Sequence, residues 1–273
     1  MTEARIAVPP GVGDCYWALS KLQSFRQRQG ISRVHLLVQK AGFKRALDWS
    51  KMVEFVDESS EVKFKPNHEI LTNGYARGFP VSTDHTLWPN AIVDRGEHLS
   101  RWLPEYELNL DFEVNVEEPA IAASDLIVVY HSSRSIHEAW FPHLTSAWWD
   151  DLIRQLVVSD IGQVAIIGAD WDLPFNGVMH WHPDVMDFSG QTSLRQVAGI
   201  IKRARVLVGV ISGMTILANH FMTPCVALCP DKFPASFPRA WVKSGAPYIV
   251  HRTSEIHSAA QVQDSVLSLV RSA

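Results

Sequence analysis

Three short stretches hold residues whose types and spacing suit proton and anion chemistry. In "PPGVGDCYW", Gly11 and Gly13 precede Asp14 at the expected start of a helix. Asp14 there is either an N-cap that accepts from helix amides or a general base that takes a proton from an incoming hydroxyl. In "YHSSRSIHEAW", Ser132 and Ser133 can hydrogen-bond phosphate oxygens, and the Arg134 guanidinium can neutralise them through paired N–H groups. In "GVISGMTILA", Ser212 suits an N-cap and Gly213 lets a ligand close on the backbone. The amides of Gly213, Met214 and Thr215 would then open a helix whose dipole favours an anion. That corner is either an ordinary capped turn or an anion cradle.

Other sets carry less chemistry. His180, His182 and Asp184 alternate in "HWHPD", but no further cluster completes a metal site, and none is expected. Cys225 and Cys229 share one face of an apolar strand and read as buried thiols. "GVGDCY" lacks the third glycine of a dinucleotide fingerprint, and no G-x-S-x-G, G-x-x-x-x-G-K or Cys-x-x-Cys occurs.

The elements that must position these corners alternate between strand and helix. "RIAVPP" reads as a strand, and "DCYWALSKLQSFRQRQG" as a helix with Trp17, Leu19, Leu22 and Phe25 near helical spacing and Gly30 as its stop. "RVHLLVQ" and "MVEFVD" are further strands with a short helix, "GFKRALDWS", between them. Between about residues 58 and 122 closely spaced Gly, Pro and Asn blur the pattern, and "NVEEPAIAASD" reads as a linker. The alternation then resumes. "LIVVYHSS", "QVAIIGA", "RVLVGV", "PCVALC" and "APYIVHR" are strands, and "TSAWWDDLIRQLVV", "SLRQVAGIIKRA", "SGMTILANHFM" and "SAAQVQDSVLSLVRSA" are helices. The fold class is α/β, with two Rossmann-like domains, 1–122 and 123–273, facing across a cleft. Ligands of such sheets bind beyond the carboxyl ends of the strands, which is where the three corners fall.

Composition fits this outline. The 273 residues are 47% hydrophobic and 20% charged, so a sizeable core is available. A formal charge of -4 gives no bulk attraction to nucleic acid or anionic membranes. Three unpaired cysteines suit a reducing compartment, and an apolar strand beginning within five residues of Met1 leaves no room for a signal peptide; a cytoplasmic protein is expected.

Taken together, the corners resemble the ADP-heptose:lipopolysaccharide heptosyltransferases (glycosyltransferase family 9), which have the GT-B fold. The family's "GxGD" corner and following helix match "PPGVGDCYWALSKLQSFR", and its polar corner with a Trp-Pro helix matches "HSSRSIHEAWFPHLTSAWWDDLI". A strand ending in glycine, here Gly168, leads to "DFSGQTSLRQVAGIIKRARVLVG", and "D-S-G-P-x-H-L-A" followed by "T-P-x-V-A-L" matches "ISGMTILANHFMTPCVALCPD". The chain reads as a short, divergent member, the resemblance covering most of 4–40 and 125–235.

The resemblance implies transfer of a sugar from a nucleotide-diphosphate sugar to an acceptor hydroxyl, inverting and without an obligatory metal or cofactor. Asp14 would be the base. Gly13, Ser132, Ser133, Arg134, Gly168, Ser193, Leu194 and the corner Ser212–Thr215 would hold the donor, with Ser193 and Leu194 near the nucleoside. The acceptor would be a lipopolysaccharide-type glycan or a hydroxymethylated base in viral DNA. The chain departs from the pattern at Ile211 and Ile216, where the family has Asp and His, at Met214, where it has Pro, and at Glu138–Ala139, where a basic residue is usual. Arg134 or Lys232 would supply the missing cation. Ile211, Met214 and Ile216 also motivate one alternative, an inactive nucleotide-sugar-binding module; a second is an enzyme of the same architecture with other chemistry, such as a nucleotide-sugar 2-epimerase.

Overall fold

A computed structural model of the chain describes residues 3–7, 12–30, 33–38, 55–58, 63–64, 70–71, 101, 104–118, 121, 125–131, 143–169, 184–235, 237–239 and 242–272. The chain divides into two compact units, Met1–Val116 with Arg239–Trp241 and Glu117–Pro238 with Val242–Ala273.

In the first unit, β1 (Glu3–Ala7), β2 (Arg33–Val38) and β3 (Phe55–Glu58) form a parallel sheet in that order, with Glu3 opposite Arg33 and His35 opposite Phe55. The crossover from β1 to β2 is α1 (Val12–Gln29). Its apolar residues Cys15, Tyr16, Trp17, Leu19, Leu22 and Phe25 are all buried, which is why this stretch is a helix in context despite two polar turns. Gly30 ends it with a φ of 62°, a conformation that glycine takes without steric cost. The helix begins at Val12, so Asp14 stands inside its first turn, not at the N-cap. A short antiparallel pair, β4 (Lys63–Phe64) with β5 (Ile70–Leu71), lies in the stretch whose sequence shows no periodicity.

The segment 104–112 runs along α1. Buried Lys21 donates to the Tyr106 carbonyl at 2.7 Å, and Tyr16 to that of Leu110 at 3.3 Å. The Glu107 amide reaches Ser24 Oγ at 2.9 Å, the Asn109 amide reaches the Ser20 carbonyl at 2.8 Å, and the Phe25 and Tyr106 rings meet edge to face. Burial holds the Lys21 ammonium below its ordinary pKa, against an opposing pull from Glu105.

The second unit is built on a parallel sheet of six described strands in the order β11-β10-β9-β6-β7-β8. They are β6 (Leu126–Tyr130), β7 (Gln163–Ile166), β8 (Val185–Asp187), β9 (Ala204–Val210), β10 (Cys225–Cys229) and β11 (Tyr248–Arg252). The helices are α2 (Ser146–Val158), α3 (Leu194–Arg203), α4 (Gly213–His220) and α5 (Ala259–Ser272). Helices pack in two pairs, α2 on α5 and α3 on α4. With both faces covered, β6 and β10 are buried at every position and read as unbroken apolar runs. Strand β8 has no counterpart in the sequence reading, because three half-buried residues are too few to show a period. No helix among the described residues is long and apolar enough to cross a membrane.

Candidate functional site

Strand order identifies the crevice. From β6 the chain moves outward to β7 and β8, then returns to β9 on the other side of β6 and proceeds to β10 and β11. The reversal falls between β6 and β9, and ligands of open parallel sheets bind outside the carboxyl ends of strands at such a switch point. β6 ends at Tyr130 and β9 leads into Ser212, so the third corner of the sequence lies there, while the second follows β6 outside the described residues.

Close backbone approach holds these two strand ends together. Tyr130 is paired with Gly209, and a Cβ added at Gly209 would collide with the Tyr130 carbonyl oxygen and come within 2.9 Å of the Tyr130 Cβ. Only glycine fits without movement of one strand.

At the start of α4, Ser212 is the N-cap in an extended conformation. Its Oγ accepts from the Met214 amide at 3.1 Å, and the capping box adds the Thr215 amide. Thr215 Oγ1 accepts from the Ser212 amide at 3.0 Å and donates to the Ser212 carbonyl at 2.8 Å. Three bare amides were expected from the sequence; the cap engages those of Met214 and Thr215. The Gly213 amide meets no acceptor among the described residues, so it and the helix dipole are what the corner offers an anion. Thr215 is fully buried within the cap, so its side chain is committed. Ile211 and Ile216 are also buried, at 3% and 4% exposure, so these apolar departures from the family pattern pack into the core and leave the Gly213 amide in place. The far end of α4 is secured by Lys243, whose Nζ donates to the His220 carbonyl at 2.8 Å while its amide reaches Asn219 Oδ1 at 3.0 Å.

On the other side of β6, the Gly168 carbonyl accepts from the Gly190 amide at 3.0 Å, which joins the turns after β7 and β8. Asp187 Oδ1 accepts from the Ser189 amide at 2.8 Å. Ser193 then caps α3 in a capping box with Gln196: Ser193 Oγ accepts from the Gln196 amide at 3.2 Å, and the Ser193 amide donates to Gln196 Oε1 at 2.9 Å. Leu194 is half-buried as the first residue of the helix.

A polar network closes the loop after β10, and the sequence reading did not find it. Arg252, at the end of β11, donates to the carbonyls of Asp231, Phe233 and Pro234 and to Cys229 Sγ. Its Nε lies 3.7 Å from Asp231 Oδ1. The Asp231 carboxylate also accepts from Thr253 Oγ1 at 2.8 Å, the Ser254 amide at 2.9 Å and Ser254 Oγ at 2.8 Å. Slight burial pushes the Asp231 pKa up, but these hydrogen bonds and the guanidinium outweigh it and hold the pKa below its ordinary value. Burial pushes the Cys229 thiol up to about 11 despite Arg252 beside it, so it is no nucleophile at neutral pH. The sequence signal for this network was the Pro-Asp pair directly after an apolar strand, a turn start whose carboxylate needs a partner.

In the first unit, Gly13 and Asp14 lie in the first turn of α1. Ser132, Ser133, Arg134, Glu138, Ala139, His180 and His182 lie outside the described residues. Cys15, Cys225 and Cys229 are all buried and form no disulfide.

No protein-family model matches the chain, and no curated protein sequence matches it. Solved structures do. ADP-heptose lipopolysaccharide heptosyltransferase II of E. coli superposes with a TM-score of 0.70 at 13% identity, over 100% of this chain and 99% of that one. A glycosyl transferase family 9 protein of Veillonella parvula gives 0.69 at 12% identity, over 100% and 98%. E. coli heptosyltransferase WaaC with ADP gives 0.56 at 14% identity, over 98% and 100%. The chain has the Rossmann-like α/β fold of these glycosyltransferases.

Proposed function

We propose that the protein is a nucleotide-sugar glycosyltransferase of the GT-B type, with a Rossmann-like domain for the acceptor and a second that holds the donor. The observation that carries the reading is the switch point of the six-stranded sheet, where the capped start of α4 offers the Gly213 amide beside the end of β6. The likeness in fold to heptosyltransferases, WaaC with ADP among them, supports the donor class.

In this mechanism Asp14 takes the proton of the acceptor hydroxyl as its oxygen attacks the anomeric carbon. The bond from that carbon to the diphosphate oxygen breaks on the opposite face, which inverts the configuration. The charge left on the diphosphate is met by the Gly213 amide, the α4 dipole, and Ser132, Ser133 and Arg134, which follow β6 in the sequence. In this reading Ser193 and Leu194 face the nucleoside and Gly168 belongs to the donor site. Asp14 in the first turn of α1 suits the base role better than a cap role, since a residue inside the helix does not serve as its N-cap. The reaction needs no metal, and the site is cytoplasmic. The acceptor is a glycan or a hydroxymethylated base in DNA.

The test is release of nucleoside diphosphate from a panel of nucleotide sugars, with lipopolysaccharide-type glycans and hydroxymethylated DNA as acceptors. Asp14→Asn is expected to lower turnover by about 100-fold or more while donor affinity stays within twofold. Undiminished turnover in that variant would remove Asp14 from the mechanism. Donor binding without turnover on any acceptor would favour the binding-module reading, to which Met214 in place of the family's Pro points.

A further inference from the structure

The carboxamide of Gln196 makes two hydrogen bonds that lead to different parts of the chain. Its Oε1 accepts from the Ser193 amide at 2.9 Å, which closes the capping box at the start of α3. Its Nε2 donates to Glu117 Oε1 at 3.0 Å, 79 positions away in the sequence. The Glu117 amide in turn donates to the Arg195 carbonyl at 3.1 Å. Glu118 carries the contact along the helix, its Oε2 lying 3.6 Å from Nη1 of Arg203 in the last turn. The segment is therefore laid along α3.

The place of this tie gives it a consequence. Glu117 is where the chain first enters the second unit. Upstream, Phe112 packs on Tyr16 of α1 with ring centroids 4.9 Å apart, and residues 113–116 carry the chain on to Glu117. The oxygen and nitrogen of a carboxamide lie in one plane and turn together, so a rotation of Gln196 that breaks one of its hydrogen bonds strains the other. Each bond alone is a modest contact. Sharing one side chain links them.

We infer that Gln196 couples the nucleoside end of the donor site to the segment by which the chain enters the second unit, so that a nucleotide bound at the start of α3 also holds Glu117 in place. The inference rests on the proposed position of the nucleoside at Ser193 and Leu194, and adds a regulation of that site. Gln196 is a positioning residue, since it acts through the Ser193 cap. The linkage is reciprocal: what frees Glu117 weakens the nucleotide by the same factor.

Amide hydrogen exchange reads the coupling directly, because the Glu117 amide is itself a donor in the tie. The probes are adenosine, guanosine, uridine and cytidine diphosphates, and the one that wild type binds in calorimetry is used at saturation. The variants are Gln196→Glu and the swap Gln196→Glu with Glu117→Gln, each checked for an unchanged melting temperature without ligand. Glutamate at position 196 still accepts from the Ser193 amide but sets a carboxylate against Glu117. The swap returns a donor to the pair with the roles reversed. In wild type the nucleotide is expected to slow exchange at Glu117 by about fivefold. Gln196→Glu is expected to lose that slowing and to bind about fivefold more weakly, and the swap to regain both. Equal slowing in Gln196→Glu would overturn the coupling. So would no slowing in nucleotide-bound wild type, or no recovery in the swap. In those cases the donor site stands, since the nucleotide still binds. Failure of wild type to bind any of the four diphosphates would overturn the donor site and the coupling together.

Discussion

Gly209 shows how little tolerance the switch point has at the level of single residues. Its missing Cβ is the space into which the Tyr130 carbonyl fits, where β6 and β9 deliver their ends to the crevice. Gly209→Ala is expected to cost about 1–3 kcal/mol in chemical denaturation, the range of an overpacked core site. A cost near zero would mean that the strands can part there. Ser212 and Thr215 show the opposite: four hydrogen bonds tie the cap together and leave the Gly213 amide. The Ser-Gly pair at a strand–helix corner was legible in the sequence. Which amides the cap would engage was not, because that depends on the rotamers of Ser212 and Thr215.

At the level of elements, the long periodic segments could be read and the short ones could not. α1, α3 and α5 have enough turns for an apolar face to repeat, and β6 and β10 are apolar runs buried at every position. β8 and the β4–β5 pair are too short for that, and their positions are fixed by neighbours. The loop after β10 was missed for a related reason. Its stability comes from Arg252, which is distant in sequence and adjacent only because β11 pairs with β10. That pair also carries a titratable contact: His251 Nε2 on β11 lies 2.8 Å from Ser265 Oγ on α5. Burial lowers the His251 pKa below its ordinary 6.5, against an opposing pull from Glu255. The unfolded chain therefore binds this proton more readily than the folded one, so His251 costs stability as pH falls below about 6.5 and nothing well above it. His251→Gln is expected to lose less melting temperature than wild type between pH 7.5 and the acid side of that window. An equal loss in both proteins would place the titration elsewhere.

For the whole molecule, the α/β class was legible from the alternation of patterns, and the fold is that of known glycosyltransferases at 12% to 14% identity. Identity that low leaves chemistry to be settled by residues, and here the two buried isoleucines matter most. Ile211 and Ile216 are buried in the core, so in the proposed function donor binding at this corner rests on the backbone, above all the Gly213 amide. A formal charge of -4 adds no general attraction to an anionic acceptor or donor, which puts that burden on the corner itself. The most direct measurement is therefore thermal stabilisation by nucleoside diphosphates and their sugars, comparing wild type with Gly213→Asp. The account predicts a rise for one nucleotide in wild type, about 2.7 kcal/mol of stabilisation at a hundredfold excess over Kd, and its loss when a carboxylate is placed at the start of α4. An undiminished rise in Gly213→Asp, or no rise with any nucleotide in wild type, would contradict it.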